Sequence, residues 1–274
     1  VAEVTQYKGD SETHTLLSPT DEFADFETYE HAIAVGVGDK QTIADAGSYA
    51  RAALLRGLEL QGTLGINPYK FGMIGSTDSH TGLSAAEESN FHGKFVRDSI
   101  PQSKANPAIT GATGWDMGAQ GLAAVWASEN TREGISASFK RREVYTSTGP
   151  RMQLRFFRGW DCKQRDKSAS DLAAVGYRKG VPMGGDLTSG HDDDPPSFLI
   201  HAAKDPKDAN LDRIQVVKGW VDGNGRSHER VYDIAWSGER KVGENGKLPP
   251  VGSTVDLKTG TYTNEIGASS LSAV

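Results

Sequence analysis

Asp78 and His80 stand two apart in the run Gly75-Ser76-Thr77-Asp78-Ser79-His80. In an extended turn, positions i and i+2 project to the same side. A carboxylate oxygen and an imidazole nitrogen then converge on one cation. Both ligand types suit Zn, Mn or Fe, at bonds of about 2.0–2.2 Å. The chemistry such a pair serves is metal-assisted hydrolysis, in which a divalent ion acidifies water and polarises the scissile group. The same spacing at a strand end also serves as a plain capping pair, and a catalytic zinc takes three or more protein ligands. Two residues therefore open a site without completing it. Glu12 and His14 lie in Lys8-Gly9-Asp10-Ser11-Glu12-Thr13-His14, a loop after the first strand. They offer a direct ligand or an outer contact to the metal ligands, with a turn hydrogen bond as the competing use.

Other chemistries find less support. Cys162 is the single cysteine, which excludes an intrachain disulfide and a cysteine-cluster metal site. It has no obvious histidine partner and reads as structural. No Gly-x-Ser-x-Gly elbow and no phosphate-binding loop occur. His31 and His92 read as loop histidines, and His191, His201 and His228 as surface or satisfied residues. The five tryptophans read as core. A net charge of −6 argues against a nucleic-acid partner, which needs a concentrated basic face. No apolar run approaches the ~18 residues that a membrane span needs. The chain starts at Val1 without a methionine or a signal-like segment, as a processed, trimmed or cloned end does.

The elements that must position Asp78 and His80 follow from periodicity. Residues Glu3 to Tyr7 alternate as a short strand and stop at Gly9. Phe23, Phe26 and Tyr29 recur at three, which predicts a helix or helical turn over Asp21 to Glu30. Tyr49, Ala52, Ala53, Leu55, Leu58 and Leu60 predict an amphipathic helix over Ser48 to Gln61, closed by Gly62 and Gly65. Lys70 to Gly75 is short, apolar and Gly-bounded, as a buried parallel strand is. Ligands gather at the carboxyl ends of such strands, where Asp78 and His80 fall. Residues 81–118 read as a long polar excursion, of the kind that forms lids or binding loops. Gly121 to Trp126 is a second apolar run. Asn130, with Glu133 three residues on, predicts a helix start.

After Thr148 the rhythm changes to short apolar runs separated by Gly, Pro and Asp. Met152–Phe157, Phe198–Ala202, Ile214–Val217, Val231–Trp236 and Thr261–Thr263 predict antiparallel strands. Asp222-Gly223-Asn224-Gly225 predicts a hairpin turn with positive φ. Asp192-Asp193-Asp194-Pro195-Pro196 reads as a solvated turn. The expected fold is α/β plus all-β, with a junction near Thr148 and a β-sandwich-like second part.

The Gly-Ser-Thr-Asp-Ser-His segment resembles the last metal-ligand motif of the polymerase and histidinol phosphatase (PHP) superfamily. Arg141-Arg142-Glu143-Val144-Tyr145-Thr146-Ser147-Thr148-Gly149-Pro150 resembles the element that follows it there. Asn67-Pro68-Tyr69-Lys70-Phe71-Gly72, Gly121-Leu122-Ala123-Ala124-Val125-Trp126 and Val216-Val217-Lys218-Gly219-Trp220-Val221 are similar to a PHP-like family of unknown function, the one numbered 3604. The resemblance spans nearly the whole chain. It implies a distorted (β/α) barrel with two or three divalent metals at its mouth, Asp78 and His80 among the ligands, and a hydrolytic reaction on a phosphoester or a related ester or amide. It also points to a periplasmic or secreted setting.

The superfamily's His-x-His motif does not occur in this sequence. Residues 1–148 are therefore expected to be the C-terminal half of a barrel, and 149–274 a β-rich accessory domain. A missing N-terminal segment or a second chain would complete the fold. The alternative is a non-catalytic binding or scaffold protein that uses its β-domain. Asp78 and His80 are expected within ~5 Å of one another, facing a cleft at a strand's carboxyl end. Open strand edges predict association with further polypeptide, or apolar exposure beside Phe71 to Ile74.

Overall fold

The computed structural model describes residues 1–29, 47–83, 90–98, 100–106, 112–118, 120–188 and 195–274. The expectations for His31, His191 and the run 192–194 lie outside these residues. The chain divides into two compact units. The first comprises residues 1–149 and 218–230, the second 150–217 and 231–274.

In the first unit, β1 (Ala2–Gln6) runs antiparallel to β2 (Gly9–Asp10) and parallel to β3 (Met73–Gly75). The register pairs Ala2 with Met73 and Thr5 with Gly75, with an irregularity between Glu3 and Thr5. Helix α1 (Ala50–Leu64) is built from good helix formers and stops at Gly65, whose φ of 76° lets its N–H reach the Gln61 carbonyl. Gly57 is its buried residue, pressed against Asn67 and Tyr69. A short helix α2 (Pro101–Lys104) lies within the polar excursion.

Strand β4 (Leu122–Val125) leads into α3 (Arg132–Lys140), which returns as β5 (Val144–Ser147). β4 and β5 pair antiparallel, and Trp126 N–H donates to the Glu143 carbonyl and extends the ladder. β1 with β3 is thus the parallel pair, and no closed barrel forms among the described residues. The structure shows a mixed α/β chain with several small sheets and few helices.

Two local expectations gain detail. Of the helix or helical turn expected over Asp21 to Glu30, residues 22–27 form successive turns. The Asp21 carboxylate accepts the Phe23 N–H at 3.0 Å, a local bond that competes with helix. Phe23 and Phe26 stay about half exposed, so no buried stripe rewards a helix there. The cap of α3 is Thr131 rather than Asn130. Its hydroxyl accepts the Gly134 N–H at 3.1 Å, while Glu133 sits in the first turn.

The second unit is built on an antiparallel sheet in the order β11 (Ser270–Ala273), β8 (Ser197–Ala203), β6 (Gln153–Gly159), β7 (Gly180–Pro182). Helix α4 (Leu172–Lys179) covers it. Buried Phe157, Cys162 and Leu199 pack with Leu172, Ala173 and Val175. Gly176 lets the helix approach, since a Cβ there would fall 2.3 Å from the Phe157 ring. In place of the expected sandwich, a four-stranded sheet lies under a helix. The helix supplies the apolar face that a second sheet would have supplied.

β9 (Arg213–Val221) and β10 (Ser227–Trp236) form a two-stranded hairpin. Its turn takes positive φ at Gly225 alone among its residues. Thr261 makes one isolated bridge to Asp256 rather than a strand. Trp115 is 67% exposed with the Lys104 ammonium over its ring, which corrects the expectation of a core residue.

Candidate functional site

The parallel pairing of β1 and β3 carries its register past both strand ends. Ser76 N–H donates to the Thr5 carbonyl at 3.1 Å, and Tyr7 N–H to the Thr77 carbonyl at 3.3 Å. Thr5 opposite Gly75 therefore brings Lys8 level with Asp78. Gly121 closes in from β4. A Cβ there would sit 2.2 Å from the Ser76 carbonyl oxygen and 2.4 Å from that of Thr5. Asp78 adopts φ 54°, a left-handed conformation that aspartate accepts more readily than most residues.

That backbone brings the Asp78 carboxylate and the His80 imidazole together. Asp78 Oδ1 lies 3.3 Å from His80 Nε2. Donors bound to one ion at about 2.1 Å stand about 3.0 Å apart at a right angle and about 3.4 Å apart at the tetrahedral angle. The observed separation suits a shared cation as well as it suits a weak hydrogen bond. His80 is held by its own N–H, which donates to the Lys94 carbonyl at 2.8 Å, and by the edge of Phe95 at 4.9 Å. Its side chain stays 54% exposed.

The other carboxylate oxygen is already taken. Lys8 Nζ donates to Asp78 Oδ2 at 2.7 Å, and Lys94 Nζ donates to the same oxygen. Lys94 Nζ also donates to the Asp78 carbonyl at 2.7 Å, and the residue is 2% exposed. Burial pushes the Asp78 carboxyl up. The hydrogen bonds and charges of the two ammonium groups outweigh that and hold it well below the usual carboxylate range. Burial draws the Lys94 ammonium below its usual value, against the pull of Asp78 and with the push of Lys8.

Glu12 and His14 are engaged elsewhere. Glu12 Oε1 accepts the Arg51 Nε–H at 2.7 Å, and His14 Nδ1 accepts the Leu16 N–H at 3.2 Å while its ring tilts against Tyr49. Arg51 also donates to Asp21 at 2.7 Å and approaches Glu229 at 3.4 Å. Ser18 Oγ donates to Glu229 at 2.8 Å. Asp10 lies at this cluster. Burial drives its carboxyl up, and Glu12 adds to that. Backbone N–H groups of Glu12 and Thr13 and the charge of Arg51 oppose, which leaves the group at about 7.

Among the described residues no third His, Cys, Asp or Glu joins Asp78 and His80 in a group that could hold a metal. His201 is satisfied by Ser272 at 2.8 Å, and His228 by Asp222 at 2.9 Å with Trp220 stacked on it. Lys8, Lys94, Arg51 and Asp10 are the contributors that sequence reading did not single out. Lys8 was accessible in principle, since it follows β1 as Asp78 follows β3. Lys94 carried no local signal, because it approaches from a polar excursion.

With this geometry established, comparison with known proteins gives one assignment. The family described as "Protein of unknown function (DUF3604)" matches residues 1–274. The chain belongs to this family. No curated protein and no solved structure matches it. DUF3604 membership supports the family resemblance seen in the sequence, and it carries no link to the PHP superfamily.

Proposed function

We propose that this DUF3604 chain contributes to a divalent-metal-dependent hydrolase, acting on a phosphoester or a related ester or amide. Asp78 and His80 are its contribution to the metal site. The observation that carries the reading is the 3.3 Å approach of Asp78 Oδ1 to His80 Nε2 at the carboxyl end of a parallel strand. The exposed His80 ring leaves that approach open to solvent. The PHP resemblance of the Gly-Ser-Thr-Asp-Ser-His segment adds a motif-level reason. Donors beyond these two would come from outside the described residues, in this chain or on further polypeptide.

The fit is partial. Two donors converge suitably, while a catalytic zinc takes three or more. A Zn, Mn or Fe ion held there would supply Lewis acidity for hydrolysis. This chain's own residues do the positioning. Lys8 and Lys94 keep Asp78 ionised, and Lys94 through its carbonyl fixes the backbone of His80. The ion-paired Asp78 also supports a second reading, in which the cluster is a structural hub of a binding or scaffold protein.

Metal titration separates the two. Zn2+ and Mn2+ are titrated into this chain and into a form extended upstream of Val1, each with and without Asp78→Asn. The hydrolase reading expects binding in the low-millimolar range for the chain and at least tenfold tighter binding for the extended form, with Asp78→Asn abolishing both. Hydrolysis of p-nitrophenyl phosphate and p-nitrophenyl acetate is then followed with the loaded extended form. Binding that ignores Asp78→Asn, or no binding by either form, leaves the scaffold reading.

A further inference from the structure

The two oxygens of Asp78 face different company. Oδ1 looks to His80 Nε2, while Oδ2 receives Lys8 and Lys94. In a two-metal hydrolase site a carboxylate commonly bridges, one ion on each oxygen, with the ions about 3.5–4 Å apart. We propose that the ammonium groups of Lys8 and Lys94 fill the second of those positions, so that the Asp78 site takes one divalent ion and not two. The inference rests on the metal reading above and departs from the two or three metals that the PHP resemblance implies.

Three observations support it. First, the charge matches, since two ammonium groups on one oxygen carry the +2 of the ion they would replace. Second, neither lysine is there by chance of a surface rotamer. Lys8 is set by the β1–β3 register, in which Thr5 faces Gly75. Lys94 is 2% exposed and tied a second time, at 2.7 Å, to the Asp78 carbonyl. Third, that carbonyl is turned to Lys94 on the left-handed backbone of Asp78, φ 54°. A cation approaching Oδ2 would have to expel two ammonium groups and leave a carbonyl oxygen without its donor. A cation approaching Oδ1 meets an imidazole that is 54% exposed. The lysines thereby weaken the first ion as well, because both repel it across the carboxylate.

Equilibrium dialysis against Mn2+ followed by metal analysis counts the ions. The proteins are the chain as it stands, Lys8→Gln, Lys8→Arg, Lys94→Gln and Asp78→Asn, with circular dichroism to check folding. The expected result is one equivalent for the unaltered chain and none for Asp78→Asn. Lys8→Gln binds at least tenfold more tightly, and Lys8→Arg, which keeps the charge, is unchanged. Lys94→Gln, if folded, gains affinity in the same way; Lys8, 19% exposed, carries the test if it is not. Two equivalents in the unaltered chain, both lost with Asp78→Asn, overturn this inference and leave the metal reading standing. Unchanged affinity in Lys8→Gln does the same. No Mn2+ on the unaltered chain or on Lys8→Gln at millimolar concentration overturns this inference, and the metal reading falls with it when the extended form binds none either.

Discussion

Asp10 and Asp78 start from the same ordinary carboxyl value, 3.8, and are driven in opposite directions. Asp78 is held down by two lysines. Its contribution to stability is present above 3.8 and is lost as pH falls below it, when the unfolded chain takes up the proton first. Asp10 is raised to about 7, chiefly by burial. Its folded form keeps a proton that the unfolded chain releases, so stability is fully present below 3.8 and is lost as pH rises towards about 7. Thermal melts between pH 4 and 8 should show the unaltered chain losing stability over that window, by on the order of 4 kcal/mol. Asp10→Asn, which still offers an oxygen to the Glu12 N–H, should flatten the slope. A slope equally steep in Asp10→Asn would remove Asp10 as its source. At this scale Asp78 and His80 were legible, because two residue types at i, i+2 after an apolar strand need no partner to be noticed. Asp10 and Lys94 were not. What makes them unusual is burial, and burial is a property of what packs against a residue.

Short elements hold the site, and their spacing is set by glycines. Gly121 stands where β4 begins, against the carbonyls of Thr5 and Ser76. A methyl group there meets backbone on two sides, and backbone yields less readily than a side chain. Gly121→Ala should cost about 1–3 kcal/mol in denaturant unfolding. It should also weaken the Asp78–His80 pair, read as a change in the histidine's NMR shifts. An Ala variant as stable as the parent, with His80 unmoved, would show that the approach of β4 does not position the site. The helix over residues 50–64 and the strands near 3–7 and 73–75 were readable from apolar spacing and bounding glycines. So were those at 153–159, 197–203 and 227–236. The antiparallel return of β5 beside β4 was not, since pairing direction depends on the path of the chain between them. The spacing of aromatics near 22–27 left helix and turn open, and a local aspartate bond decides for turns.

At the scale of the molecule, residues 218–230 belong with the first unit although they lie far along the chain. Within that unit Glu229 meets Arg51 and Ser18, Ser227 Oγ donates to Glu59 at 2.7 Å, and Gly219 lies against Leu55. A protein ending at Gly149 loses all of these. Arg51 then faces buried Asp21 and Glu12 without its third carboxylate, and one face of α1 loses its cover. Residues 1–149 alone should exchange the α1 amides at least tenfold faster than the full chain does. Equal protection in the two would show that residues 1–149 are self-sufficient without the hairpin tip. The change of rhythm near Thr148 could be read from sequence. The return of a hairpin tip could not, because nothing in Lys218 to Arg230 announces which surface it will meet.

The returning tip also bears on how such a chain can be recombined. A unit encoded in one stretch can pass between genes by a single exchange at its border. This first unit is encoded in two, and a crossover at Gly149 would pair α1 with another protein's hairpin. Arg51 would then depend on a stranger for the carboxylate that Glu229 now provides. A functional chimera therefore needs matched borders at Gly149, Lys218 and Arg230 together. Libraries that shuffle at all three should yield folded proteins, where those shuffled at Gly149 alone should not.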